Sequence, residues 1–377
     1  MTHCVILHIG THKTGTTTLQ EVLAANEQTL AENGFVYPQM PRKFKHAAIN
    51  RNAFWLNMEV MRRVGLAGQE TDKIPPCRDA FEKALKAGPH TVVISDERLW
   101  YNATKKRFWK EARTVLEECG ATNVKVVLYL RRQDLFLESL WAQYVKSGHM
   151  EEDLTAFAAR KKNSVACDYA AGVRRLQEAF GAENLIIRVY DRKQLVGGDT
   201  VEDFLQAIGI RDTSSFVRPE VPKNPSLSPS MTLLKLYANR SHCHLSEERD
   251  YLCRPALQVS DLDPVKRGSF FTPQQRQELM ARYEEGNAWI ARECLGREDG
   301  VLFPAEPGEM ERPAFEPEPL KVALQTCQLL AEALAEEREQ RKEETARLKE
   351  RIEKLERSGI RKLAARVESK ARKVLGR

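Results

Sequence analysis

The chain has 377 residues, of which 42% are hydrophobic, 30% charged and 7% aromatic. That is enough apolar material for a sizeable core, so a wholly disordered chain is excluded, and the length predicts roughly two to three domains. The net charge of +6 equals the surplus of residues 359–377 alone, where Arg361, Lys362, Arg366, Lys370, Arg372, Lys373 and Arg377 face the single acid Glu368; the body is balanced, and a tail without interleaved aromatics does not predict nucleic-acid binding.

In chain order, the opening Met1–Gly15 stretch has no basic leader or small-residue cleavage site. It reads as a first strand rather than a signal peptide. Four short runs rich in Val, Ile and Leu, at 4–10, 91–95, 124–130 and 184–190, predict buried parallel strands. Helical patterns fall between them at 16–33, 79–87, 106–119, 133–147 and 168–180. The alternation predicts an α/β domain, a parallel sheet with helices on both faces. Residues 148–166 are polar and read as a loop; 199–208, 228–240 and 273–295 read as helices. Residues 304–319 carry Pro304, Pro307, Pro313, Pro317 and Pro319 and predict a stiff linker between a domain at 1–303 and a segment at 320–377.

That last segment is Glu/Arg/Lys-rich and predicts a long charged helix. Leu334, Leu348, Ile352 and Leu355 fall at heptad spacing, but Arg338, Arg341 and Thr345 interrupt the seam. Coiled-coil pairing into a homo-oligomer is one expectation. Beyond Gly359, Ile360, Leu363, Ala364, Val367, Ala371 and Val374 line one face of a basic helix, and docking on an anionic membrane is another. No apolar run reaches the roughly 18 residues of a membrane span. The eight cysteines are scattered without a CxxC pair. That argues against a disulfide framework or zinc site and for a reducing cytoplasm.

The sharpest signal follows the first strand: Gly10-Thr11-His12-Lys13-Thr14-Gly15-Thr16-Thr17-Thr18, then a helix. Amides at a helix start are unpaired and partly positive. Glycine lets the backbone approach an anion, hydroxyls add donors, and lysine adds full charge. Such a loop suits a phosphate or sulfate. In the nucleotide P-loop pattern, G-x-x-x-x-G-K-[ST], Gly10 and Gly15 have the right spacing. Thr16 stands where the lysine should be, however, and Lys13 lies inside the loop. An ordinary ATPase or kinase is disfavoured.

Residues 8–17 resemble the 5′-phosphosulfate loop of sulfotransferases that use 3′-phosphoadenosine 5′-phosphosulfate (PAPS). A second element agrees. The strand at 124–130 runs into Arg131 and, eight residues on, Ser139, matching the arginine and helix serine with which that family grips the 3′-phosphate. A guanidinium fork and a hydroxyl suit that group; Arg132 could replace Arg131, with a spacing of seven. Residues around Phe180–Asn184, Tyr190, Asp203, Asn224–Ser228, Asn287 and Gly296–Phe303 also look familiar. The resemblance is to bacterial carbohydrate-type members and covers roughly 1–303. It implies a P-loop-like sheet, PAPS as co-substrate with 3′-phosphoadenosine 5′-phosphate (PAP) as product, no catalytic metal, and a carbohydrate or glycolipid acceptor. The scattered cysteines give the cytoplasm as the expected location, and the coil and basic terminus add attachment at the inner membrane face.

The same resemblance assigns His12, Lys13, Thr14, Gly15, Thr16, Thr17, Thr18, Arg131 and Ser139 to the donor. Lys13 neutralises the leaving phosphate. The base is a Glu or His. Glu97, at a strand's carboxyl end in Ser95-Asp96-Glu97, is the first choice, and His46 is the alternative. Tyr190 could stack on adenine, and Trp55, Trp100, Trp109 and Trp141 could line an acceptor pocket. Lys266-Arg267-Gly268 superficially resembles a later phosphate contact. Two other readings stay open: a non-catalytic coiled-coil scaffold carrying a PAP-binding domain, and a P-loop nucleotide kinase.

Overall fold

A computed structural model describes residues 3–44, 50–66, 70–219, 225–240, 252–263, 265, 268–305, 307–316 and 318–374. The chain divides into two compact units, one of residues 1–144, 152–225 and 268–315, the other of 145–151, 226–267 and 316–377. In order, the elements are β1 (Cys4–His8), α1 (Thr16–Ala25), α2 (Glu27–Glu32), β2 (Phe35–Val36), α3 (Phe54–Arg63), α4 (Ile74–Lys86), β3 (Thr91–Ser95), α5 (Lys106–Glu118), β4 (Asn123–Leu130) and α6 (Gln133–Lys146). They continue with α7 (Leu154–Ala159), α8 (Lys161–Cys167), α9 (Tyr169–Phe180), β5 (Leu185–Val189), α10 (Thr200–Ala207), α11 (Pro229–Arg240), α12 (Cys253–Leu262), α13 (Pro273–Ala281), α14 (Glu284–Trp289) and α15 (Pro319–Val374).

The five strands form one parallel sheet in the order β2-β3-β1-β4-β5. Helices cover both faces, which is why the strands read as continuous apolar runs. Side-chain alternation divides β1 between two cores. Val5 and Leu7 pack with Trp55, Phe81, Trp100 and Trp109. Ile6 packs on the opposite face with Leu19, Val22, Phe204 and Tyr129. From β1 the chain runs toward β2, whereas from β4 it runs toward β5 at the other edge. The crevice beyond the carboxyl ends of β1 and β4 is therefore the topological switch point, where open α/β sheets bind ligands.

Several local expectations change, each for a visible reason. The helix expected over 16–33 breaks at Asn26, whose side chain donates to Val22 O (2.7 Å) and Val217 O (2.8 Å) and accepts from Val217 N (2.8 Å). α4 starts ahead of the expected 79 because Pro75 and Pro76 occupy its first turn, where no N–H is needed. Residues 148–166, expected as a loop, hold α7 and α8. Asp153 caps α7, Asn163 donates to Phe157 O (2.6 Å), and Leu154 and Phe157 are buried. The helix expected over 273–295 is split into α13, α14 and a π-turn at 290–294. Residues 307–315 lie along the first unit: Arg276 donates to Met310 O (3.0 Å) and Arg312 O (3.1 Å), and Arg132 pairs with Glu309 (2.9 Å).

In the second unit Leu227, Met231, Ala256, Val259 and Leu329 form a small core. Lys321 and Gln325 of α15 hold Asp263, at 2.9 and 2.8 Å. The 56-residue helix α15 is ~84 Å long at 1.5 Å per residue. Glu337–Arg341, Glu343–Arg347 and Glu350–Lys354 pair one turn apart, as on a solvated helix. Leu348, Ile352 and Leu355 stay more than half exposed. Among the described residues no helix is long and apolar enough to cross a membrane.

Candidate active site

The site is built on the turn between β1 and α1. Gly10 (φ 52°), Lys13 (φ 68°) and Gly15 (φ 75°) all have left-handed backbone. For Lys13, a residue with a Cβ, that is uncommon and marks a loop held in a special shape. Gly10 is sterically required, since a Cβ there would lie 2.8 Å from Thr16 Cγ2 and 3.1 Å from Glu97 Cβ. That close approach seats Glu97 directly against the loop. α1 begins at Gly15 with no side-chain cap and no acid in its first turn. Its leading amides therefore present partial positive charge without an internal partner. Thr17 and Thr18 are exposed and Thr16 is buried. Thr14 is buried and donates its hydroxyl to Thr11 O (2.6 Å), so its backbone N–H is what remains for an anion.

On the β4 side, Arg131 Nη1 donates to Lys13 O at 2.8 Å, which ties the two sequence motifs together. Its guanidinium stands 5.6 Å from the Tyr190 ring, and Tyr169 Oη donates to Arg131 O (2.6 Å). Arg131 has no carboxylate salt bridge among the described residues, and burial lowers its pKa from the ordinary guanidinium value. Arg132 is the opposite case. Asp134 binds it at 2.7 and 2.9 Å and Glu309 at 2.9 Å, leaving no charge for a ligand. Ser139 sits two turns into α6, half-buried. Beside it Glu138 accepts from Ser269 Oγ (2.7 Å), Phe270 N (2.8 Å) and Phe271 N (3.0 Å), so the chain after Gly268 runs close by. Lys266 and Arg267 lie outside the described residues, as do Asn224 and His46.

On the β3 side, Glu97 opens a 3₁₀ turn (Glu97–Asn102) capped by Asp96, which accepts from Arg98 N at 3.0 Å. Glu97 accepts from Gln20 Nε2 (3.1 Å) and lies 3.5 Å from Arg51, which also binds the buried Asp96. Burial raises the Asp96 pKa, and the Arg51 charge opposes the rise. His8, the last residue of β1, faces Tyr129 and Phe204 and hydrogen-bonds Ser95 Oγ at 2.8 Å. Burial lowers its pKa to about 3 and keeps it neutral. The His12 ring lies 4.3 Å from Tyr101, over which Lys162 Nζ also sits at 4.2 Å. Burial, followed by the charges of Arg51, Arg98, Lys162 and Lys13, holds His12 well below its ordinary value.

The fold thus gathers His12, Lys13, Thr14–Thr18, Glu97 and Arg131 at one place, with Ser139 further along α6. Gln20, Arg51, Arg98, Tyr101 and Lys162 join them, none singled out as a site residue from sequence. Arg98 and Tyr101 share the turn that Glu97 opens, whereas Gln20, Arg51 and Lys162 offer only charge or polarity as a local signal, because the fold is what brings them in. The four tryptophans considered for an acceptor pocket are fully buried packing residues instead. The indole N–H groups of Trp100, Trp109 and Trp141 donate to Ala166 O, Ala103 O and Glu152 O. Among the described residues no group of three or more His, Cys, Asp or Glu could hold a metal ion.

No family model matches the chain. An uncharacterized protein of Archaeoglobus fulgidus is 31% identical over 188 residues, 50% of this chain and 50% of that protein, so the match spans about half of the relative's length. Among solved structures, a sulfotransferase from Alicyclobacillus acidocaldarius aligns with a TM-score of 0.37 at 14% identity, over 65% of this chain and 94% of that one. A sulfotransferase domain from the curacin biosynthetic pathway aligns with a TM-score of 0.35 at 10% identity, over 59% and 79%.

Proposed function

We propose that the first unit is a PAPS-dependent sulfotransferase acting on a hydroxyl acceptor, carried by a carbohydrate or a glycolipid. The observation that carries this reading is the Arg131–Lys13 link. It joins an uncapped, lysine-bearing anion loop to a second cation that lacks a carboxylate partner among the described residues. A donor with a phosphosulfate at one end and a 3′-phosphate at the other needs two such cationic centres, a short distance apart. The order of residues in the loop, with Lys13 inside it and Thr16 at the usual lysine position, favours this donor over a nucleoside triphosphate.

In the proposed reaction the acceptor oxygen attacks sulfur, and the bond from sulfur to the 5′-phosphate oxygen breaks. The electron pair leaves with that phosphate, giving PAP. The α1 amides, the Thr17 and Thr18 hydroxyls and the Lys13 ammonium stabilise the charge that develops there. Arg131 and Ser139 hold the 3′-phosphate, with Tyr190 beside the base. Glu97 takes the acceptor proton, positioned by Gln20; His46 is the competing base.

Two outer features belong to the same proposal. α15 pairs with a second copy through Leu348, Ile352 and Leu355, whose exposure at heptad spacing supports it. A cytoplasmic setting, at the inner membrane face if the basic end docks there, fits Cys4, Cys77, Cys119, Cys167, Cys294 and Cys327 as free thiols. The direct test of the chemistry is calorimetric titration with PAP and, separately, with ATP plus Mg²⁺. Tight PAP binding supports the reading, and preference for the magnesium nucleotide would overturn it.

A further inference from the structure

Resting on the transferase reading, the charge on the β3 side of the loop defines the acceptor more closely. The sheet order is β3-β1-β4 across the site. Arg131, at the end of β4, takes the far end of the donor. In-line displacement needs the attacking oxygen opposite the leaving phosphate, and Glu97 stands at the end of β3. The acceptor therefore enters on the β3 side.

That side holds cations the donor does not use. The Arg98 guanidinium lies 5.4 Å from the Phe54 ring, and Lys162 Nζ lies 4.2 Å from the Tyr101 ring. Neither has a carboxylate partner among the described residues, whereas the neighbouring Arg51 is held by Asp96 and Glu97. The Arg98 and Lys162 charges both act on the ring of His12, whose Nδ1 is buried without a hydrogen-bond partner. Lys162 is exposed and Arg98 half-buried, so their charges are solvated and open to a ligand, and the buried imidazole nitrogen is the group that a ligand would complete. A neutral sugar offers only hydroxyls to such a place. We infer that the acceptor carries an oxyanion, a carboxylate or a phosphate ester, near the hydroxyl that is sulfated, and that Arg98 and Lys162 bind it. His12 is held below its ordinary value first by burial and then by the charges of Arg51, Arg98, Lys162 and Lys13, which puts both cations near its ring.

The test uses the full chain saturated with PAP and calorimetric titration with three probes: a galacturonate trisaccharide, its carboxyl-reduced neutral counterpart, and a sugar phosphate. At least one charged probe is expected to bind ~10-fold or more tightly than the neutral one, and which of the two does so identifies the oxyanion. Arg98→Gln combined with Lys162→Gln is expected to remove that preference while leaving PAP affinity unchanged; Lys162→Arg restores part of it. Equal binding of neutral and charged probes, binding of neither charged probe, or an unaltered preference in the double variant overturns the inference. Absence of PAP binding by the wild type instead overturns the transferase reading beneath it.

Discussion

The ends of β3 and β4 flank the same loop, yet their charges are arranged differently. At β4 two adjacent arginines divide the work. Arg132 is locked by Asp134 and Glu309, and Arg131 reaches the loop carbonyl of Lys13 with no carboxylate of its own. At β3 two adjacent acids divide it instead. Buried Asp96 binds Arg51, and Glu97, nearer the loop, is held by the neutral Gln20 and more distantly by Arg51. In both places one member of a pair serves the fold and the other faces the crevice. Residue type alone does not separate the two roles; the presence of a partner does.

Substitutions can break this comparison, starting with the reacting end. Glu97→Gln is expected to lower sulfation about 10²–10⁴-fold with PAP affinity kept, as for loss of a general base. His46→Ala assayed alongside decides between the two bases, since the variant that keeps the wild-type rate is not the base. Lys13→Ala should lower turnover about 10²–10³-fold, the effect of removing one stabilising group from a developing anion, with thermal unfolding unchanged. Near-normal sulfation by that variant would count heavily against the assignment.

The two arginines should part company. Arg132→Ala leaves the buried Asp134 without its closest cation, so about 3–5 kcal/mol of stability is expected to go in denaturant unfolding. Arg131→Ala should leave stability nearly intact and weaken PAP binding by about 1.5–3 kcal/mol, roughly tenfold to a hundredfold. Interchanged results would mean that the wrong guanidinium has been placed in the site.

The remaining effect is a pH slope. His8 has a folded pKa of about 3, below its ordinary value of 6.5. Between those values the unfolded chain binds a proton that the folded chain does not. Stability is therefore complete above pH 6.5 and falls as the pH drops through this window, by about 1.4 kcal/mol per unit for one proton. His8→Asn can keep the bond to Ser95 without a titrating ring. Its stability should depend on pH less steeply by that amount between pH 4 and 6, and parallel curves would refute the assignment.

Periodicity and local chemistry made much of the first unit legible from sequence. Four apolar runs correspond to β1, β3, β4 and β5, because strands buried on both faces must be apolar throughout. The two-residue β2 carries too little pattern to be found. Helix α3 and helix α12 were not expected, and the break at Asn26 depends on Val217, far along the chain. The amino-acid order by itself determined which groups stand in the loop and at the strand ends, since glycines, hydroxyls and Lys13 follow β1 without interruption. Which of Arg131 and Arg132 is held by carboxylates, and the arrival of Gln20 and Arg51 beside Glu97, was decided only by the tertiary structure. Pairing of charges depends on which strands lie side by side, and that order is set by packing across the whole sheet.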